Sequence, residues 1–466
     1  MYFKQFYLNC LAHASYLIGS HGEAIVVDPQ RDVDRYIKEA EANNLKIKFV
    51  IETHLHADFV SGHLELAKRT GAQVVIGARA KATYPHIAVG DNDEVRVGSV
   101  RIKIIETPGH TPESISLLIN DEEDEDSPSK ILTGDTLFVG DVGRPDLVGA
   151  DGYTAEAMAT MLYLSLHDKL LPLDDSTEVY PAHGAGSLCG RNISKENSST
   201  IGKERATNYA LREMPEGEFV TMMTGNMPEI PRYFPYDRQV NRTGAKPLDE
   251  LPSPPALTPS QVRQLINDED YVPLDVRDAD AFGQGYIPRS INVGLRGQFA
   301  TWAGILIAHE KRLIIIANDE REVREAAMRL ARVGLETIAG YLAGGVEAWR
   351  ASGFEFESLP QVSVEDLSEL LNRNADSIHS TPPQIIDVRR PTEYIGGHVP
   401  HAVNLSLAKL ENEVANLDAS LPSYVICAGG YRSSAAASVL ARYGFHNLHN
   451  VTGGTSGWIE AGYETE

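Results

Sequence analysis

Two groups of residues in this chain have the types and spacing that chemistry needs. The first is built from imidazoles and carboxylates. Thr53 is followed by His-Leu-His-Ala-Asp-Phe, which supplies His54, His56 and Asp58; further on, His110 follows Gly109, Asp135 follows Gly134, and His183 stands in Ala-His-Gly. Alternation puts His54 and His56 on one side of an extended segment, where they can share an ion. Each of these residues comes just after an apolar stretch, and loops at strand ends are where a rigid sheet can hold ligands within reach of solvent. A solitary His or Asp would be ordinary structure, but this many in one context reads as a metal site. Taken together, His54, His110 and Asp135 offer two imidazoles and a carboxylate, which suits mononuclear iron(II) with open positions. His56 as a fourth ligand would suit zinc instead. The chemistry of the side chains leaves both open.

The second group surrounds Cys427. The apolar run Tyr424–Ile426 delivers Cys427, Ala428, Gly429, Gly430, Tyr431 and Arg432, and a helical pattern begins at Ser433. A cysteine at a strand-to-helix turn faces backbone N–H groups and the positive end of a helix, both of which favour thiolate over thiol. Gly429 and Gly430 let the backbone curl around the sulfur. Arg432 can grip an anionic donor such as thiosulfate or sulfite. Catalytic work is therefore expected of Cys427 and Arg432.

Smaller signals are weighed against structural readings. Cys189, six positions after His183 in a Gly-rich loop, could be a thiol acting beside the metal, against the alternative of a small buried residue. Arg144 could bind an anionic part of a substrate; a loop ion pair with Asp141 or Asp146 is the competing reading. Asp28 is expected to brace the metal loops by hydrogen bonds, His63 to open a helix in solvent, and Cys10 to pack in the core.

The elements that must position these groups follow from hydrophobic period. Phe6–Ile18 and Ala24–Asp28 read as a hairpin, Val33–Asn43 as a helix, Ile47–Thr53 as a buried strand, and Leu64–Arg69 as a helix stopped by Gly71. Short strands are expected at Gln73–Ile76, Val100–Glu106, Ser114–Leu118 and Lys130–Thr133, with the acidic run Asp121–Asp126 as a solvated hairpin tip. Around Lys246–Pro259 proline enrichment marks a linker. The remainder is an internal repeat. Asp275 pairs with Asp387, Leu330 with Leu440 and Gly344 with Gly453, the offset drifting from 112 to 109. Each unit alternates strands with helices, which implies a parallel α/β sheet. By this alignment Cys427 falls on Ala317 and Arg432 on Glu322, so the first unit has no thiol and an acidic loop. The expected domains are 1–245, a linker at 246–260, and units at 256–358 and 361–466.

Composition sets limits. Net charge is −23 over 466 residues, which argues against nucleic acid and anionic membranes as partners, since both demand clustered Lys and Arg. Three scattered cysteines cannot form a disulfide framework and fit a reducing cytoplasm. The N-terminus lacks a signal-peptide pattern, and no apolar run has the length of a membrane span.

The motifs of the first group, with Asp28 in Val-Val-Asp-Pro, resemble the metallo-β-lactamase fold superfamily over about residues 1–190, which implies an αββα sandwich. Dinuclear hydrolases of that superfamily carry His where this chain has Phe59, so the resemblance implies a single metal ion. Thr-His-Leu-His-Ala-Asp-Phe-Val-Ser-Gly-His, Gly-Asp-Thr-Leu-Phe-Val-Gly-Asp-Val-Gly-Arg-Pro-Asp-Leu and Tyr-Pro-Ala-His-Gly-Ala-Gly-Ser-Leu-Cys-Gly look like the persulfide dioxygenases of this superfamily, above all those with fused rhodanese domains. That resemblance implies one Fe(II) per chain, with zinc as the alternative, on His54, His110 and Asp135; His56, Asp58 and His183 then orient ligands or protonate product. It implies oxidation of a low-molecular-weight persulfide by O₂ to sulfite and thiol, in a homo-dimer or tetramer. The loop Cys427–Arg432, with Asp387-Val-Arg and the Gly-Gly…Trp ending, resembles the active loop of rhodaneses, which implies sulfane-sulfur transfer to or from thiosulfate and sulfite. The main rival is a zinc-dependent thioester hydrolase of the hydroxyacylglutathione type fused to a sulfurtransferase; a non-oxidative sulfur carrier or persulfide sensor is another.

Overall fold

A computed structural model describes residues 1–124, 126–225, 227–375 and 383–466. Glu125 of the acidic run lies outside the described residues. The chain forms two compact units, the first of Met1–Pro252 with Ala331–Leu335 and the second of Ser253–Leu330 with Glu336–Glu466.

The first unit has two facing six-stranded sheets. One runs in the order β1 (Tyr2–Leu8), β2 (His13–Ser20), β3 (Glu23–Val27), β4 (Lys46–Glu52), β5 (Gln73–Gly77) and β6 (Ile87–Val89). The stretch expected as one strand over Phe6–Ile18 is broken at residues 9–12, and two antiparallel strands pair across the turn, Leu8 opposite His13. Cys10 lies in that turn, half-buried and outside the core expected for it. From β3 onward the pairing is parallel. The second sheet comprises β7 (Glu94–Val97), β8 (Val100–Glu106), β9 (Ile115–Asp121), β10 (Lys130–Gly134), β11 (Glu178–Pro181) and β12 (Ser199–Thr200).

Side chains alternate across these strands, so each sheet has two apolar faces to cover. Ile18, Ile25, Val27, Ile51 and Val75 of the first sheet meet Val97, Ile102, Ile104, Leu117 and Leu132 of the second in a shared interior. Leu17, Val26 and Val50 point the other way, onto Tyr36 and Ala40 of the helix Asp34–Ala42. Ile131 and Val179 are covered by Leu162 of the helix Ala155–Leu164 and by Leu166. The result is the αββα sandwich implied by the sequence motifs. The helix His63–Thr70 ends at Gly71, whose φ of 74° supplies the left-handed cap.

The second unit contains two five-stranded parallel sheets with one topology. The first runs β13 (Ala256–Leu257), β17 (Ile338–Leu342), β16 (Arg312–Ile316), β14 (Tyr271–Asp275), β15 (Ile291–Asn292); the second runs β18 (Gln361–Val362), β22 (Leu448–Val451), β21 (Ser423–Ile426), β19 (Gln384–Asp387), β20 (Val403–Asn404). β13 lies inside the proline-rich stretch, so its end is already sheet rather than connector. The repeat extends to side-chain chemistry. Asp275 and Arg277 form a buried ion pair, Asp387 and Arg389 form its counterpart at 2.7 Å, and each Arg also donates to a glycine carbonyl, Gly285 or Gly397, at 2.9 Å. Asn292 and Asn404 tie the same loops by donating to the backbone carbonyls of those Asp and Arg residues. This explains why Asp-Val-Arg is the most legible motif of the repeat. Breaking a buried pair from one side strands a charge. Asp387→Ala is therefore expected to cost about 3–5 kcal/mol, read as a lowered calorimetric transition of the full chain.

Candidate metal centre and sulfur loop

The metal candidates converge at the ends of strands from both sheets. Asp28, just past β3, accepts from the Thr53 backbone N–H at 2.7 Å and from Thr53 Oγ1 at 2.8 Å, and Thr53 Oγ1 lies 2.9 Å from His54 Nδ1. Since the Thr53 hydroxyl gives its proton to Asp28, it accepts from His54 Nδ1–H. That chain leaves Nε2 of His54 as a bare acceptor. His110 is set the same way: its Nδ1 donates to the Arg144 carbonyl at 3.0 Å, so its Nε2 is also an acceptor. Both nitrogens face one oxygen, Asp135 Oδ2, at 3.8 Å from His54 and 3.4 Å from His110. Burial is the main cause that keeps both imidazoles below their usual pKa, and hence neutral.

Three lone-pair atoms thus meet in a buried place with no proton between them. His54 Nε2 and Asp135 Oδ2 have no hydrogen-bond partner. Groups of this kind are stable only around a cation, so the residues present fit a metal ion. Gly134, at φ 51°, makes the approach possible: a Cβ there would stand 2.7 Å from Thr53 Oγ1.

The remaining expected residues divide. Asp135 Oδ1 accepts from His183 Nδ1 at 2.7 Å, and His183 Nε2 meets Asp58 Oδ2 at 2.8 Å. Burial disfavours charge on His183, but Asp135 and Asp58 outweigh it and raise its pKa well above the ordinary value. His183 is therefore a cation clamped between two carboxylates. His56 lies in a different cluster, with Nε2 at 3.2 Å from Asp28 and 3.6 Å from Glu52. Burial opposes its charge, yet Asp28 pushes its pKa up to about 9. Phe59 fills the space beside it, its ring centroid 4.4 Å from that of His56 and 4.2 Å from that of His13. His13 is fully buried with both ring nitrogens unpartnered. Sequence reasoning missed it because it opens a strand with no recognisable motif around it.

Cys189 is buried beside Asp58 and His183. Burial first, then the carboxylates of Asp58 and Asp135, push its thiol well above the ordinary pKa. Arg144 is closed by Asp146, with Nε–Oδ1 and Nη2–Oδ2 both 2.7 Å, and by the Leu188 and Pro228 carbonyls. The loop ion pair is what its guanidinium makes. His63 is not in solvent. It is buried against Tyr84, with ring centroids 4.9 Å apart, and burial lowers its pKa to about 3.

In the second unit Cys427 follows directly on β21, buried, and its Sγ accepts from Gly430 N at 3.1 Å and Ser433 Oγ at 3.4 Å. Gly430 has φ 98°, which curls the chain back over the sulfur. Arg432 forms a two-point ion pair with Glu393, at 2.7 and 2.8 Å, so an anionic donor must compete with that carboxylate. The helix Tyr431–Arg442 is held by the first repeat. Tyr431 Oη donates to the Gly294 carbonyl at 2.7 Å, Ser434 Oγ to Asn292 Oδ1 at 2.6 Å, and Asn292 N to Ser438 Oγ at 2.9 Å. In the matching loop of the first repeat Ala317 is buried, and Glu322 folds back to accept from Asn318 N at 2.9 Å and Asn318 Nδ2 at 3.1 Å.

Comparison with known proteins agrees with this division. Residues 8–183 match the metallo-beta-lactamase superfamily, and residues 258–352 and 363–461 each match the rhodanese-like domain. Mouse mitochondrial persulfide dioxygenase ETHE1 is 31% identical over 224 residues, 46% of this chain and 78% of that protein. The cytoplasmic hydroxyacylglutathione hydrolase of Arabidopsis thaliana is 36% identical over 185 residues, 39% of this chain and 67% of that protein. A crystal structure described as a metallo-beta-lactamase from Staphylococcus aureus subsp. aureus COL is 33% identical with a TM-score of 0.66, and the match covers 73% of this chain and 98% of that one.

Metal content separates the two histidine roles. His54→Ala is expected to abolish stoichiometric metal by elemental analysis. His56→Gln is expected to keep one ion per chain, with affinity lower by about 10- to 100-fold.

Proposed function

We propose, for a chain that belongs to the metallo-β-lactamase superfamily, is homologous to persulfide dioxygenase ETHE1 in its first half and carries two rhodanese-like domains behind it, a bifunctional enzyme of sulfur metabolism. The first site oxidises a low-molecular-weight persulfide with O₂, in the balance R–S–SH + O₂ + H₂O giving R–SH and sulfurous acid, which ionises to sulfite. The second moves sulfane sulfur to or from thiosulfate. The observation that carries the reading is the pair of neutral imidazoles, His54 and His110, turned toward the ionised Asp135, whose Oδ2 has no hydrogen-bond partner, with Phe59 where a second metal would need a ligand.

When bound there, one Fe(II) would supply the redox chemistry that joins dioxygen to sulfur. The protein's own part is orientation and exclusion of water. Thr53 and the Arg144 carbonyl fix the two imidazole tautomers. His183 holds Asp135 in one rotamer and keeps an N–H on each side, so it can neutralise an anion forming beside Asp58. The buried walls of Phe59 and His13 keep the place dry.

At the second site the Cys427 thiolate attacks the sulfane sulfur of thiosulfate. The S–S bond breaks, sulfite leaves with the electron pair, and Cys427 becomes a persulfide. Arg432, released from Glu393, would take the sulfite oxygens. The reverse reaction makes thiosulfate from sulfite. The first repeat has no thiol, its Asn318 N–H groups are taken by Glu322, and it acts as a positioning domain, since Gly294 and Asn292 hold the helix that follows Cys427. Fusion raises the effective concentration of one site's product at the other. A cytoplasmic homo-oligomer accords with the composition and the resemblance, and no described helix is long and apolar enough to cross a membrane.

The similarity to hydroxyacylglutathione hydrolase keeps a zinc thioesterase as the second reading. Anaerobic purification with Fe(II), followed by O₂ uptake with a persulfide, tests the first. About one iron per chain is expected, with sulfite as product; about two zinc ions and anaerobic thioester turnover would overturn it. Cys427→Ala is expected to leave O₂ uptake intact and to abolish thiosulfate formation. Tyr431→Phe loses one hydrogen bond to Gly294, and its sulfur-transfer rate is expected to fall by about 5- to 10-fold in a thiosulfate assay, with O₂ uptake unchanged.

A further inference from the structure

The seam between the two repeats holds a second polar cleft, at the opposite end of the helix Tyr431–Arg442 from Cys427. Twelve residues of helix separate the two ends by ~16 Å. The cleft has a volume of about 360 Å³, and Arg289, Ser290, Ser438 and Arg442 line it. Arg289 and Ser290 come from the first repeat, just before β15. Arg442 and Ser438 come from the last turns of the helix of the second.

The two arginines are drawn together by one hydrogen bond, Arg442 Nη1 donating to the Arg289 carbonyl at 2.6 Å, while Arg289 Nη1 donates to the Ile266 carbonyl at 2.7 Å. Neither guanidinium has a carboxylate within ion-pair distance among the described residues. Burial, and then Arg289 itself, press against the charge of Arg442. Arg289 also holds φ 70°, a conformation a bulky side chain rarely adopts and one that surrounding structure must impose. Ser290 is 1% exposed, and its Oγ has no hydrogen-bond partner. A buried hydroxyl without a partner is rare and calls for an acceptor. Two guanidinium groups bonded only to backbone carbonyls, together with an orphaned hydroxyl in one cleft, are complementary to a single small anion. Glu269, exposed, and Glu357, half-buried like the two arginines, also line the cleft; they oppose an extended polyanion and limit the ligand to one charged group. The corresponding positions of the second repeat are His401 and Ala402; His401 shares the positive φ, at 65°, so what is particular to the first repeat is the guanidinium and the hydroxyl, not the backbone.

We propose that this cleft binds one small oxyanion group, a carboxylate, phosphate or sulfur oxyanion, between the guanidinium groups of Arg289 and Arg442 and the hydroxyl of Ser290. Its occupant bridges the two repeats at the far end of the helix that begins at Tyr431. Occupancy therefore tightens the same seam that positions the sulfur loop.

The test uses the full chain carrying Cys427→Ala and Arg432→Gln, which removes reaction and anion binding at the sulfur loop. Calorimetric titration with phosphate, thiosulfate and acetate is expected to give one saturable site per chain for at least one of them, and the tightest identifies the source. Arg442→Gln is expected to weaken that binding by about tenfold or more, and Ser290→Ala by about threefold to tenfold. Thermal scans confirm that each variant folds; should Arg442→Gln fail to fold, Ser290→Ala carries the comparison. Absence of saturation by all three anions up to ~10 mM, or binding indifferent to the substitutions, overturns the proposal.

Discussion

Asp135 is asked to serve two neighbours at once, and the first unit is arranged around that demand. One oxygen takes the proton of His183; the other faces two imidazole nitrogens that have none to give. Burial works against an ionised carboxylate here, but His183, then His54 and His110, hold its pKa well below the ordinary value. The charge is sustained because His183 is itself held by Asp58. A chain of alternating charge thus runs from Asp58 through His183 to Asp135 and stops at a place where only a cation completes it. The glycine before Asp135 and the Thr53–Asp28 brace are the backbone terms of the same constraint.

The second unit carries one topology twice, with different loops after the matching strands. Both repeats keep the Asp–Arg pair and its asparagine tie, which fix the loop between the first strands of each sheet. They differ where sulfur chemistry would occur. The first has turned its surface into a support: Asn292 and Gly294 receive the helix whose N-terminal loop holds Cys427. Small side chains on that helix, Ser434 and Ser438 among them, let the supporting strand come close enough for direct hydrogen bonds.

Much of this was legible in the sequence, for a physical reason. Strands at β4, β8 and β10 carry apolar runs of the right length, and the motif residues lie immediately after them, so reading the strand also locates the ligand. The repeat was legible because Asp-Val-Arg is a complete buried ion pair in three residues. What failed were properties set by tertiary surroundings. The turn at residues 9–12 lacks strong turn chemistry, so two strands read as one. His63 looked solvated because a helix start is usually exposed, whereas Tyr84 covers it. His13 has no motif at all and becomes notable only through Phe59 and His183 beside it. Arg144 was ambiguous on spacing alone; Asp146, two positions later, takes both faces of its guanidinium.

The folded-back Glu322 has a consequence for how such a domain is lost and what would restore it. Its carboxylate occupies the backbone and side-chain N–H groups of Asn318, next to Ala317. Installing a thiol at position 317 would therefore place it next to a resident competitor with the same sign of charge. Reversion has to pass through removal of the acid as well as arrival of the cysteine, and either step alone brings no gain.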